Sequence, residues 1–317
     1  MDFVGGLVPR SRLVRQQKRS VPLFMQGHRL KNKVAVITGG AGGIGRLVAK
    51  YFLDEGASVV AADINRRALA AVGKEFAGAY GGKFAAVKTD VTRKADVARL
   101  AFAVHKKFGP ADILVNASAV QKPIGPVKDT DARAWQSTLV TNVMGTVICC
   151  KHFLPSMISR RSGKIINFSG GGATFPRVNF SAYACSKAAI VRFTEILAEE
   201  VGPHGVEVNA VSPGPVYTGM LEDIIRAGKK SGASDLAAAL NIKKMRRKDA
   251  YSGKSSALLS VFLASDRSDG ITGKLISAVW DDWKNLPRRK AGLAKSALYT
   301  LRRVDGVNIK EARRGRR

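Results

Sequence analysis

Lys33-Val34-Ala35-Val36-Ile37-Thr38-Gly39-Gly40-Ala41-Gly42-Gly43-Ile44-Gly45 sets the fold of this chain. Lys33 to Thr38 is a short, β-branched apolar run, the pattern of a strand buried on both faces. It ends in a glycine turn. A helical stretch follows from about Gly43 to Glu55 and is closed by Gly56. A strand–glycine turn–helix unit presents backbone N–H groups and the positive end of a helix to a phosphate pair at close range. Residues 39–45, with Gly39, Gly43, Ile44 and Gly45 at their centre, are therefore expected to hold a nucleotide.

The same alternation continues outward. Further strand patterns lie at 58–63, 84–89, 112–116, 164–168, 206–211 and 274–279, with helical stretches near 66–76, 93–108, 131–159 and 181–202. Strands alternating with helices, without tandem hairpins, predict a single α/β domain with a doubly wound, seven-stranded parallel sheet of Rossmann type. Thr38, Asp63, Asn116 and Ser169 all fall at strand C-terminal ends, the edge where such sheets bind ligands. The stretch 216–250 breaks the alternation with Gly219, Gly228 and Gly232 and reads as a mobile lid.

Asp63 closes the second strand. A carboxylate there accepts hydrogen bonds from adenosine ribose hydroxyls and repels a 2′-phosphate, which favours NAD(H) over NADP(H). Arg66 and Arg67 nearby weaken that exclusion and leave NADP(H) open, and a helix N-cap is the competing role for Asp63. Asp90, after the third strand, is placed to reach the adenine amino group or to cap the next helix. Tyr183-Ala-Cys-Ser-Lys187 sets a phenol and an ammonium on one helix face. A neighbouring cation favours the phenolate, so the tyrosine pKa is expected to fall toward working pH, where the group passes a proton to or from an alcohol oxygen.

Together these residues resemble the short-chain dehydrogenase/reductase superfamily over roughly residues 31–279. Thr38, Gly39, Gly43 and Gly45 match its Thr-Gly-x-x-x-Gly-x-Gly loop, Asp90-Val91 its adenine-contacting pair, and Tyr183/Lys187 its Tyr-x-x-x-Lys. Asn142 stands where the family keeps a catalytic asparagine, and Pro213-Gly214 with Thr218 matches the segment that holds the nicotinamide carboxamide. Asn116 is retained from Asn-Asn-Ala-Gly, here Asn116-Ala117-Ser118-Ala119. The resemblance implies hydride transfer between nicotinamide and a carbonyl or secondary-alcohol carbon, with Tyr183 as general acid/base and Lys187 on the nicotinamide ribose. It also implies that Asn142 holds a water behind Lys187.

Two departures bear on activity. The family places its catalytic serine thirteen residues before the tyrosine, and that position is Gly170; Ser169 is the nearest hydroxyl and the expected substitute. Val279-Trp280-Asp281-Asp282-Trp283 replaces the usual Val-Asp-Gly-Gly. The tryptophans suit either a sugar-like polyol or packing against the tail. Phe175, Pro176 and Phe180 suggest an apolar substrate wall, and Arg177 a contact for an anion.

The formal net charge is +29 over 317 residues. Residues 1–30 carry six Lys/Arg against one acid and residues 284–317 twelve against two, so the excess is shared between the ends and the middle. Such a field attracts anions. No nucleic-acid-binding motif is evident, so no specific nucleic-acid partner is expected. The competing class is a catalytically impaired dinucleotide-binding protein whose basic surface takes nucleic acid or other anions.

Residues 1–30 read as a basic disordered leader, 31–283 as the dehydrogenase domain and 284–317 as a basic C-terminal helix and tail. That helix is expected to carry Leu293, Ala297, Leu298, Leu301 and Val304 on one face. A cytoplasmic homodimer or homotetramer is expected, with mitochondrial targeting by the leader as the alternative. No run is long and apolar enough for a membrane span. Cys149, Cys150 and Cys185 lack metal-site or disulfide spacing, and no metal is expected.

Overall fold

The computed structural model describes residues 28–245, 248, 251–294 and 296–303. The expected leader up to residue 27 and the tail from residue 304, Val304 included, lie outside the described residues.

Seven parallel strands form one sheet in the order β3-β2-β1-β4-β5-β6-β7. They are β1 (Val34–Thr38), β2 (Ser58–Asp63), β3 (Phe84–Lys88), β4 (Ile113–Asn116), β5 (Gly163–Phe168), β6 (Val206–Ser212) and β7 (Leu275–Ser277). The order reverses between β1 and β4, which pair from Ala35↔Ile113 to Thr38↔Asn116. Helices leaving these two strands depart to opposite faces, and the gap between them is the crevice of doubly wound folds.

The two-residue strand period divides the core. Ala35 and Ile37 of β1 face one layer, where α1 (Gly43–Asp54), α2 (Arg66–Tyr80) and α9 (Lys254–Ala264) bury Phe52, Phe76 and Phe262. Val34 and Val36 face the other, where α3 (Lys94–Phe108), α5 (Gly145–Ser159) and α6 (Ser181–Val201) bury Leu100, Met157 and Leu197. Each fully buried Leu, Ile or Phe contributes about 2 kcal/mol of apolar burial. Cys149 and Cys150 pack in the second layer; burial pushes the Cys149 thiol up to about 12 and Cys150 higher than its ordinary value too, so both behave as small apolar side chains.

The expected helix 131–159 is α4 (Ala132–Leu139) and α5 joined without a break by a π-turn, Val140–Met144. Residues 216–250 are not structureless. They hold α7 (Gly219–Ala227) and α8 (Ala233–Lys244), and the connection begins and ends on Gly228 (φ 56°) and Gly232 (φ 91°), left-handed backbone that glycine adopts without strain.

Two boundaries shift. Leu30, assigned to the leader, is fully buried, and its N–H donates to the Glu55 carbonyl at 3.0 Å. At the other end, the long helix expected after Pro287 does not form. Trp283–Arg289 is a 3₁₀ stretch and only Lys290–Ala294 is α-helical (α10). The Ser296 hydroxyl donates to the Leu293 carbonyl and accepts from Leu298 N–H, a local competitor for helix bonds. The Leu275 N–H of β7 donates to the Tyr299 carbonyl at 2.7 Å, so the chain lies along the sheet edge instead.

Candidate active site

The glycine loop is tight because its backbone doubles back on itself. Gly39 has φ +64°, and a Cβ there would stand 2.9 Å from the Ala117 backbone; a Cβ on Gly45 would run into the Gly39 carbonyl. No other residue type fits this turn without moving it. A groove of about 720 Å³ opens above it, lined by Gly39, Gly43, Ile44, Gly45, Asp63, Asp90, Val91 and Thr218 among others. Thr218, from the lid end, reaches to within 2.9 Å of the Cβ position on Gly43.

Asp63 does not cap α2; Asn65 does, accepting from Ala68 N–H at 3.0 Å. The Asp63 carboxylate instead accepts from Ala41 N–H (3.1 Å) of the glycine loop and from Asn65 N–H (2.9 Å), which fixes its direction on the groove wall. Asp90 accepts from the backbone and hydroxyl of Thr92, and Asp96 takes the Asp90 N–H.

Thr38 and Asn116 lie behind the groove rather than in it. The buried Thr38 hydroxyl accepts from Ala117 and Ser118 N–H, so it shapes the wall opposite the glycines. Buried Asn116 donates to Asn167 at 2.9 Å, which donates in turn to Thr194. Both support the site from underneath. Pro213 and Gly214 also lie outside the groove lining; Pro213 accepts from the Ser256 hydroxyl, and a Cβ on Gly214 (φ +74°) would press on Val279.

Helix α6 carries the phenol and the ammonium, both buried. The Lys187 ammonium donates to the Phe168 carbonyl at 2.8 Å and sits 5.7 Å from the Tyr183 ring centre. Burial pushes it down to about 8. The expected fall of the Tyr183 pKa is not what this arrangement gives. Burial raises it above the ordinary phenol value, and the opposing pull comes from the Arg177 guanidinium, not from Lys187. Lys187 is turned to the β5 carbonyl, and desolvation outweighs a cation at that distance.

Position 170 faces the phenol. A Cβ on Gly170 would collide with the Tyr183 hydroxyl. Ser169 points elsewhere: its side chain is buried and its hydroxyl donates to the Lys187 carbonyl at 3.3 Å. The expected substitution of Ser169 for the missing serine is therefore corrected. Adjacent residues leaving a strand project to opposite sides, and the one that looks at Tyr183 is a glycine.

Asn142 occupies the π-turn. Its amide donates to the Val120 carbonyl and the Ser186 hydroxyl and accepts from Val120 N–H, each at 2.8 Å. It thereby ties the β4 loop to α6. Ser186, which donates to the Tyr183 carbonyl at 2.7 Å, is a part of this network that sequence reading did not single out.

Helices α7 and α8 pack against the phenol. Leu221 and Ile224 of α7 and Ala239 of α8 form one apolar cluster with Phe180 and Tyr183. Phe175 is exposed while Phe180 is wholly buried, so the expected three-residue wall is only partly built. Trp283 is core, tilted against Phe262 with its indole N–H on the Ala278 carbonyl, whereas Trp280 is exposed. Asp281 is also committed, accepting from Ser277 N–H. The paired-tryptophan polyol platform is thus not assembled.

A parallel doubly wound sheet, a glycine loop at its switch point and a buried Tyr–Lys pair on the neighbouring helix define a Rossmann-type protein of the oxidoreductase kind. The short chain dehydrogenase family model matches residues 33–228, and the chain belongs to that family. L-fucose dehydrogenase of Oryctolagus cuniculus is 33% identical over 244 residues, 76% of this chain and 82% of its own. D-threitol dehydrogenase of Mycolicibacterium smegmatis is 34% identical over 245 residues, covering 77% and 90%. The solved structure of NAD⁺-bound xylitol dehydrogenase superposes with a TM-score of 0.71 at 27% identity, covering 78% of this chain and 98% of that one. The chain is thus related to dehydrogenases and reductases acting on alcohol and carbonyl groups. Among the described residues no helix is long and apolar enough to cross a membrane, and no His/Cys/Asp/Glu cluster has the makings of a metal site.

Proposed function

We propose that the chain is an oxidoreductase using NAD(H) in preference to NADP(H). Its substrate is a small carbonyl compound or secondary alcohol, and Tyr183 is the general acid and base. The observation that carries this reading is the Tyr183 hydroxyl standing over Gly170 at the carboxyl end of β5, on the sheet edge that also bears the glycine groove. The groove fits a dinucleotide: a turn only glycine can make, a carboxylate fixed at the second strand's end, and Asp90-Val91 along the wall. The NAD⁺-bound relative supports the same cofactor class.

When bound, the nicotinamide supplies the hydride acceptor or donor. Asp63 would hold the adenosine ribose and disfavour a 2′-phosphate, and Lys187 would hold the nicotinamide ribose. Tyr183 gives or takes the hydroxyl proton at its phenolic oxygen. Lys187, with its ammonium pushed down to about 8, exchanges a proton near neutrality and completes the path behind the phenol. Asn142 keeps the β4 loop and α6 in register through Val120 and Ser186. The lid's apolar cluster keeps water from the phenol. The relatives' fucose, threitol and xylitol support a small hydroxylated substrate. A cytoplasmic homodimer or homotetramer belongs to the same reading.

Gly170 and the averted Ser169 favour a second reading, a dinucleotide-binding protein with impaired turnover. A fluorescence titration with NADH and NADPH at moderate salt, followed by carbonyl-dependent NADH oxidation, separates the two. Saturable NADH binding with turnover is the expected result; saturable binding without turnover across a carbonyl panel establishes the second reading.

A further inference from the structure

The most unusual charge near the phenol is not Lys187 but Arg177. It sits on the loop between β5 and α6. Its guanidinium carbon lies 3.8 Å over the Phe180 ring and 5.9 Å from the Tyr183 ring centre. The side chain is only 17% exposed. A cation so far out of water needs an anionic partner, and its partner is Asp235 on the lid helix α8. Two Arg177 nitrogens, Nε at 3.0 Å and Nη2 at 2.6 Å, converge on one oxygen, Asp235 Oδ1. Among the described residues the second Asp235 oxygen and Arg177 Nη1 make no hydrogen bond. A guanidinium and a carboxylate match best fork to fork, two oxygens on two donors. The present pairing falls short of that, and it is made by a helix preceded by a glycine-bounded connection rather than by the rigid sheet.

We propose that Arg177 is the substrate-anchoring residue for a carboxylate carried beside the reacting carbon, and that Asp235 is its internal surrogate, displaced when that carboxylate enters. The assignment rests on the oxidoreductase reading of the Tyr183 site and narrows its substrate to carboxylated hydroxy or oxo compounds. The apolar shell of Phe180, Leu221, Ile224 and Ala239 carries no charge of its own and strengthens any pairing Arg177 makes. A neutral polyol gives no compensation for breaking the Arg177–Asp235 pair; a carboxylate replaces it in kind. The positive field of the chain, +29 overall, draws such substrates in.

The test is a calorimetric titration of the full-length protein with 2-oxobutanoate, 3-oxobutanoate and 4-oxopentanoate and with their methyl esters. A parallel NADH titration reads the cofactor site alone. At least one acid should bind about tenfold tighter than its ester, the scale of one charge-assisted hydrogen bond. Arg177→Gln should erase that preference. Asp235→Asn, which weakens the competitor, should tighten the acid several-fold. Opposite signs in the two variants are what a mere lid fastening would not give, since loss of either partner would then act alike. Acids and esters binding equally or not at all, variants moving in the same direction, or inorganic phosphate competing as well as the acid would each overturn the carboxylate assignment. Failure of NADH to bind would instead sink the dehydrogenase reading, with the acid–ester comparison still readable.

Discussion

The glycine-loop groove and the side-chain cluster around Tyr183 share one sheet edge and are built from different materials. The groove is backbone: the Gly39–Gly45 turn, the Ala117–Ser118 wall held by Thr38, and one carboxylate fixed by two N–H groups. The cluster is side chains gathered from residues far apart in sequence, with Phe180 and Tyr183 packed against Leu221, Ile224 and Ala239, and Arg177 tied to Asp235. A backbone site of this geometry leaves little choice of residue. A side-chain site leaves each position open, and the position facing the Tyr183 hydroxyl is a glycine.

The comparison predicts that damage to the cluster and to the groove separate in their readouts. Tyr183→Phe should lower kcat by about a thousandfold, the scale of one general acid–base group, with NADH affinity unchanged. Stopped-flow and fluorescence titration together measure both, and a matching loss of NADH binding would break the separation. Gly45→Ala should do the reverse. Its methyl meets the Gly39 carbonyl, so NADH binding weakens by on the order of tenfold or more and stability falls by about 2 kcal/mol, a typical overpacking cost. Calorimetry and chemical denaturation report the two effects.

Asp63→Ala probes the side chain proposed to set groove selectivity. It should move the NADH/NADPH affinity ratio by about tenfold toward NADPH, one missing charge repulsion. An unchanged ratio would reduce Asp63 to its bonds with Ala41 and Asn65.

The last prediction concerns the cost of burying the amine. Lys187 sits at about 8 against 10.5 in a free chain. Below the folded value the amine is charged in both states, and its burial opposes folding in full. Between the two values the unfolded chain binds the extra proton, so stability rises with pH. Lys187→Met should therefore gain on the wild type most near pH 7, with the advantage shrinking by about 2–3 kcal/mol by pH 10.5. Urea melts across that range measure it, and a difference that stays flat with pH would show that the amine is not desolvated.

Legibility followed the same division. Six of the seven strands lie within about a residue of where alternation put them, because a parallel sheet's apolar runs are bounded by turns that sequence displays. The glycine loop was legible for the same local reason. Ser169 was misread because one residue at a strand end decides which side a hydroxyl faces, and spacing alone does not fix that. The Tyr183 pKa was misread because adjacency on a helix says nothing about the Phe168 carbonyl that claims the lysine. Asp235 went unnoticed because its partner lies 58 positions away. The helix expected after Pro287 failed against Ser296 and the open edge of β7, a tertiary claim on the chain that periodicity does not contain.

That edge contact has a mechanical side. Past Tyr299 the chain leaves β7 and fastens to α6: Leu301 N–H donates to Glu195, which also pairs with Arg192 and Arg302. A pull on the C-terminal end would therefore load α6, the helix bearing Tyr183 and Lys187, before it peeled the sheet. In a force measurement α6 and the last strand should yield as neighbours in one event, and anything that grips the tail grips the helix that carries Tyr183 and Lys187.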